Sequence, residues 1–108
     1  MITFGVASLA LNAGAHVMQF FRLRQDPNAQ PSEATGVGAF AVIDGLLAGL
    51  VGLGFAWAQW PALILPLLGG LGLAATFRTS GGSRNISVAI LILDLLCVLI
   101  FGYLLFLA

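Results

Sequence analysis

The run from Ile86 to Ala108 carries one charged side chain, Asp94, and is otherwise broken only by Ser87, Cys97 and Tyr103. A helix needs about 20 mostly apolar residues to cross the hydrocarbon layer of a bilayer. Backbone N–H and C=O groups find no water there, so an apolar run of that length is helical. Three further runs precede it, over about 2–21, 36–57 and 62–77. We therefore expect an all-α membrane protein. Its single domain has four transmembrane helices, over about 2–21, 36–57, 62–77 and 86–108, paired as two antiparallel hairpins. Hydrophobic residues make up 60% of the chain and charged ones 7%. A soluble domain carries about 25% charged side chains, so this chain has too few to clothe itself in water. Its four cations, all arginine, balance four carboxylates. That composition offers no basic patch, and no nucleic-acid partner is expected.

Two carboxylates lie inside apolar runs: Asp44 in Ala41-Val42-Ile43-Asp44-Gly45-Leu46-Leu47, and Asp94 in Ile90-Leu91-Ile92-Leu93-Asp94-Leu95-Leu96. Each is expensive at membrane depth, by roughly 3 kcal/mol on insertion scales. The first run is the most polar. Gly5, Ser8, Asn12, His16 and Gln19 recur every three or four residues, which places them on one helical face. Val6, Leu9, Val17 and Phe20 are expected on the opposite face. The polar face needs partners inside the bundle or on another subunit. His16 lies six residues before Arg22, and each aspartate lies six to eight residues into its run. At 1.5 Å per residue all three sit roughly 9–12 Å below the interface, in one layer. Arg22 and Arg78 are expected within reach as charge partners, snorkelling down along their stems.

The second run carries a stripe of small residues, Gly38, Ala41, Gly45, Ala48, Gly49, Gly52 and Ala56. Gly45 and Gly49 have the G-x-x-x-G spacing that lets membrane helices approach closely, so Gly45, Gly49 and Gly52, with Asn12 and Gln19, are the expected packing residues. Between the first two runs, 22–35 is a polar connector in which Ser32-Glu33-Ala34-Thr35 offers helix caps. Trp57 and Trp60 mark an interfacial belt, and Pro61 suits the first turn of the next helix. That third run is short and carries Pro66 and Gly69-Gly70-Leu71-Gly72, so a bent helix is expected. In the connector 78–85, Gly81-Gly82 lacks the Lys-Ser/Thr of a phosphate loop. Phe21-Arg22 with Phe77-Arg78, and Ile43-Asp44 with Leu93-Asp94, form a faint internal repeat.

The arginines fall at 22, 24, 78 and 84. The positive-inside rule then puts loops 22–35 and 78–85 in the cytoplasm and both termini on the periplasmic or outer side of a bacterial inner membrane. Met1-Ile2-Thr3-Phe4-Gly5 lacks the basic start of a signal peptide. Cys97 is solitary, so neither an internal disulfide nor a metal set is expected. No cofactor of the chain's own is expected. His16 as a haem ligand would need an axial partner from another subunit, and bound lipid or pigment would likewise come with partner subunits.

The loop arginines, the aspartate that follows and Val51-Gly52-Leu53-Gly54 resemble the rotor-ring proteolipids of ATP synthases, although the first helix lacks their dense glycine repeat. In size and helix number the chain resembles the small multidrug-resistance transporters. Those carry a glutamate in the first helix, where this chain has Asn12 and His16. No functional residue is carried over from either resemblance. Without a Ser-His-Asp set or a metal cluster, an enzyme is not expected. The expected function is a small accessory subunit of a larger bioenergetic or transport complex, its partners the bilayer and other membrane subunits. The alternative is a homo-oligomeric proton- or cation-coupled transporter or channel using Asp44 and Asp94.

Overall fold

In the computed structural model the described residues are 2–78 and 82–107. They form four α-helices: α1 over Ile2–Gln25, α2 over Pro31–Gly52, α3 over Gln59–Thr76 and α4 over Arg84–Phe106, with a 3-10 turn at Ala56–Ala58 leading into α3. Each, α3 together with that turn, is long and apolar enough to cross a membrane, and no strand occurs among the described residues. Of the expected last helix, Ala108 lies outside the described residues, as do Thr79, Ser80 and Gly81 of the connector 78–85.

The helix ends differ from the sequence expectation, for local reasons. α1 continues to Gln25, because Arg22, Leu23 and Arg24 form helix readily and arginines suit its C-terminal dipole. α2 begins at Pro31 rather than near Gly36, since proline is preset for the first helical position. Ser32-Glu33-Ala34-Thr35 is therefore helix, not cap, and the connector shrinks to 26–30. α2 ends at Gly52 rather than at Trp57. Gly54 adopts φ +95°, a left-handed conformation that glycine takes without strain, and the chain reverses there. Pro61 falls in the first turn of α3, where its missing N–H removes no bond. Pro66 lies inside α3 and leaves the carbonyl four residues earlier without its N–H partner. At α4, Ser83 caps the helix, its Oγ accepting from the Ile86 N–H at 3.4 Å.

α1 packs along α2 and α4, and α4 packs along α3, whereas α2 and α3 barely meet. Close approach occurs where glycine faces an aromatic ring. A Cβ on Gly5 would lie 2.8 Å from Phe101 Cζ, and one on Gly38 would lie 3.1 Å from Phe20 Cδ2. At the end remote from the arginines, Leu9, Leu47, Ala48, Val51, Ala58, Ala62, Cys97 and Phe101 form one apolar core. Leu9 belongs to that core and not to the opposite face of α1. It stands four residues after Gly5 and three before Asn12, which keeps it on the buried stripe.

The distribution of polarity is the reverse of a soluble protein. Ser8, Asn12, His16, Gln19, Asp44, Ser87 and Asp94 are buried, while Leu11, Met18, Phe21, Val42, Leu46, Ile92 and Leu99 are exposed. Outward apolar side chains are at home against lipid tails, and inward polar ones find hydrogen-bond partners on neighbouring helices.

Candidate intramembrane polar site

Asn12 is the centre of the site. It is fully buried on α1, between α2 and α4. Its Nδ2 donates to Asp94 Oδ1 across 2.6 Å, tying α1 to α4. Its backbone oxygen lies 2.8 Å from His16 Nδ1, one helical turn on. That same nitrogen lies 3.4 Å from Asp44 Oδ2 on α2. Asp94, Asn12, His16 and Asp44 thus form a continuous polar chain across three helices. The spacing of four residues between Asn12 and His16 stacks the two on one face of α1.

Both near neighbours of His16 Nδ1 are oxygens of a carbonyl and a carboxyl group. The carbonyl can only accept, so Nδ1 carries a hydrogen and gives it to Asn12. In the neutral ring Nε2 is then an acceptor. Phe40 on α2 lies beside the imidazole, with ring centroids 5.8 Å apart and planes 25° from parallel.

Four buried oxygens have no hydrogen-bond partner among the described residues: Asn12 Oδ1, both carboxyl oxygens of Asp44, and Asp94 Oδ2. Each such group costs about 1–3 kcal/mol of lost solvation. Asp94 Oδ2 points at α3, where Gly69 and Gly70 leave room. A Cβ on Gly70 would lie 3.5 Å from Oδ2 and 3.2 Å from Asp94 Cβ. The diglycine therefore makes the notch that admits this carboxylate.

A cavity of about 330 Å³ lies above this chain of residues, in the gap left by α2 and α3. His16, Gln19, Phe40, Gly69 and Ser87 line it, and Leu23, Glu33 and Thr76 stand at the arginine end. A smaller cavity of about 190 Å³ between α3 and α4 touches Asp94, Pro66 and Gly70. At the opposite end of the molecule the apolar core around Leu9, Leu47 and Phe101 fills the bundle.

Gln19 closes the polar stripe at the arginine end. Its Nε2 donates to Ser87 Oγ at 2.7 Å and to the Ser83 carbonyl at 3.2 Å, and its Oε1 accepts from the Ser83 N–H at 2.9 Å. Gly82, at φ +80°, passes so close that a Cβ there would lie 2.6 Å from Gln19 Oε1. One amide thus holds the start of α4 against α1.

The arginines do not take part. Arg22 and Arg78 are exposed. Among the described residues, the only basic group within ion-pair distance of either buried aspartate is His16. Arg24 instead lies 5.7 Å from the Phe20 ring centroid and Arg84 lies 5.3 Å from that of Phe77. Arg22 lies in the last turn of α1 and Arg78 lies two residues past the end of α3, so both stand beyond the layer. The small-residue stripe also divides. Ala41 and Ala48 are buried, whereas Gly45, Gly49 and Gly52 are exposed. Among the described residues, a Cβ on Gly45 or Gly49 would meet no atom within 4 Å, and one on Gly52 would meet only Val6, at 3.9 Å.

Sequence reasoning missed Ser87, Phe40 and the Gly69-Gly70 notch. Ser87 was discoverable, because Ser87, Ile90, Asp94, Cys97 and Phe101 share the three-and-four spacing of one buried face. Phe40 and the notch had no local signal, since both depend on which helix lies opposite. No group of three or more His, Cys, Asp or Glu suited to a metal ion occurs among the described residues. No known protein family, no curated protein and no solved structure matches this chain.

Proposed function

We propose that this chain is a small proton- or cation-coupled membrane transporter whose working groups are Asp44, Asp94 and His16. The observation that carries this reading is the set of buried carboxyl oxygens that have no hydrogen-bond donor among the described residues, both on Asp44 and one on Asp94. Asp94 lines the smaller cavity, and His16, 3.4 Å from Asp44, lines the larger one at the arginine end. A carboxylate kept only to hold helix register is best served by full pairing, because each unpaired oxygen weakens the fold. Unpaired oxygens beside a cavity suit a group that accepts a proton or a cation. The core around Leu9, Leu47 and Phe101 would close the opposite route, so the reading implies a second state open to the other side. In this proposal the helices form two antiparallel hairpins in a bacterial inner membrane. The segments 22–35 and 78–85, helix ends included, are cytoplasmic, and both termini are periplasmic.

The test is proton or cation flux in proteoliposomes after a pH or ion jump, comparing wild type with Asp44→Asn. The expected result is flux in wild type and its loss in the variant, with insertion and thermal stability retained. Equal flux in both, or none in wild type, refutes the proposal.

A second reading, an accessory subunit of a larger membrane complex, is favoured by Gly45 and Gly49, which no described residue covers. The mass and composition of the gently solubilised native assembly separate the two. Larger, different subunits in fixed ratio favour the accessory role, whereas a pure assembly of this chain favours the transporter.

A further inference from the structure

The geometry assigns the cavity between α2 and α3 as a binding site for a small amphipathic amine, an N–H-bearing ammonium group on an apolar body. The assignment rests on the transporter reading above and names the ligand class of its site.

The anchor is His16. Its side chain is more than nine-tenths buried yet lines the cavity. Nδ1 is committed to the Asn12 carbonyl, and its other near neighbour, Asp44 Oδ2, can take a hydrogen but not replace the lone pair on the far side of the ring. Nε2, the acceptor of the neutral ring, has no hydrogen-bond partner among the described residues. What fits against it is a donor. The charge around it selects the sign of that donor. Among the described residues the cavity lining contains no arginine or lysine, and the Asp44 carboxyl, which has no hydrogen-bond donor among them, lies 3.4 Å from Nδ1 of the same imidazole. Phe40, stacked beside His16, adds an aromatic wall to the cavity. The remaining wall is aliphatic, with Val37, Leu68 and Leu73. A volume of about 330 Å³ far exceeds that of a bare ion and falls in the range of small organic ligands. An ammonium N–H on Nε2, with its apolar body against Phe40, Leu68 and Leu73, satisfies these features. A quaternary ammonium would lack the N–H.

The test uses the full chain in nanodiscs of phosphatidylcholine, whose headgroup has no N–H, without any gradient. Binding of n-hexylamine is measured by calorimetry at a pH where the amine is protonated, and compared with hexyltrimethylammonium. The expected result is saturable hexylamine binding, about tenfold weaker binding of the trimethyl compound, and a similar loss in His16→Phe. No saturable hexylamine binding, or equal affinity for the two ligands, overturns the assignment. The ligand comparison requires no variant, so it decides even if His16→Phe fails to fold. Adding phosphatidylethanolamine to the disc identifies the source of the ammonium. Competition assigns the site to the lipid headgroup, and its absence assigns it to a free amine. Binding without flux in wild type would refute the transporter reading alone, and flux without binding would refute this ligand class alone.

Discussion

The hydrogen bond from Asn12 to Asp94 joins α1 to α4 between two buried side chains, and its worth can be measured. At 2.6 Å it is short, and Asp94 has no other donor among its described neighbours, its second oxygen being unpaired. Asn12→Leu keeps the number and branching of side-chain heavy atoms while removing the donor. Asp94 is then left with two buried oxygens and no partner. A bond to a carboxylate contributes about 1.5–3 kcal/mol, whereas hydrogen bonds between membrane helices average about 0.6 and reach about 1.7 kcal/mol. The single change should therefore destabilise the fold by about 1.5–2 kcal/mol. Asp94→Leu alone strands the Asn12 amide and should cost about 1 kcal/mol. The double variant buries two apolar groups against each other and should be more stable than the sum of the two predicts. The coupling energy should be about 1–2 kcal/mol. The assay is reversible unfolding in mixed micelles with rising dodecyl sulfate, followed by circular dichroism. Coupling within about 0.3–0.5 kcal/mol of zero, the ordinary error of additivity, would refute the view that this bond joins the two helices.

Four further outcomes follow from the packing. Gly5→Ala places a methyl group 2.8 Å from the fully buried Phe101 ring and should cost about 1–3 kcal/mol, read in the same assay. Gly14→Ala meets nothing within 4 Å and should instead stabilise, by up to about 1 kcal/mol of helix propensity. Gln19→Leu removes the donor and acceptor that hold Ser83 and Ser87, so amide hydrogen exchange should accelerate at the start of α4 and little elsewhere. Cys97, with no exposed surface, should resist maleimide labelling in the folded protein and react once it is unfolded.

The polar face of α1 was legible because it is written at helical spacing. Gly5, Ser8, Asn12, His16 and Gln19 repeat every three or four residues, and all five are buried. Asp44 and Asp94 were legible as a problem, since each interrupts an apolar run. Their surroundings were not. Arginine stems reach far enough on paper, and only the observed ends of α1 and α3 show Arg22 and Arg78 leaving the layer. The Gly45 and Gly49 spacing signals a surface that admits close approach, but not whose helix approaches it.

Apolar length and polar spacing are local properties of the chain. They are enough for four membrane-crossing helices, an inward polar stripe on α1 and two costly carboxylates, because lipid allows the backbone no other internally bonded form in such runs. Pairing is not local. Tertiary packing decided that Asn12, rather than an arginine, serves Asp94. It also decided that Gly69 and Gly70 make room for that carboxylate, and that the gap between α2 and α3 leaves His16 facing a cavity. Each of these depends on which faces of distant segments meet, and many apolar faces of similar shape allow more than one such meeting.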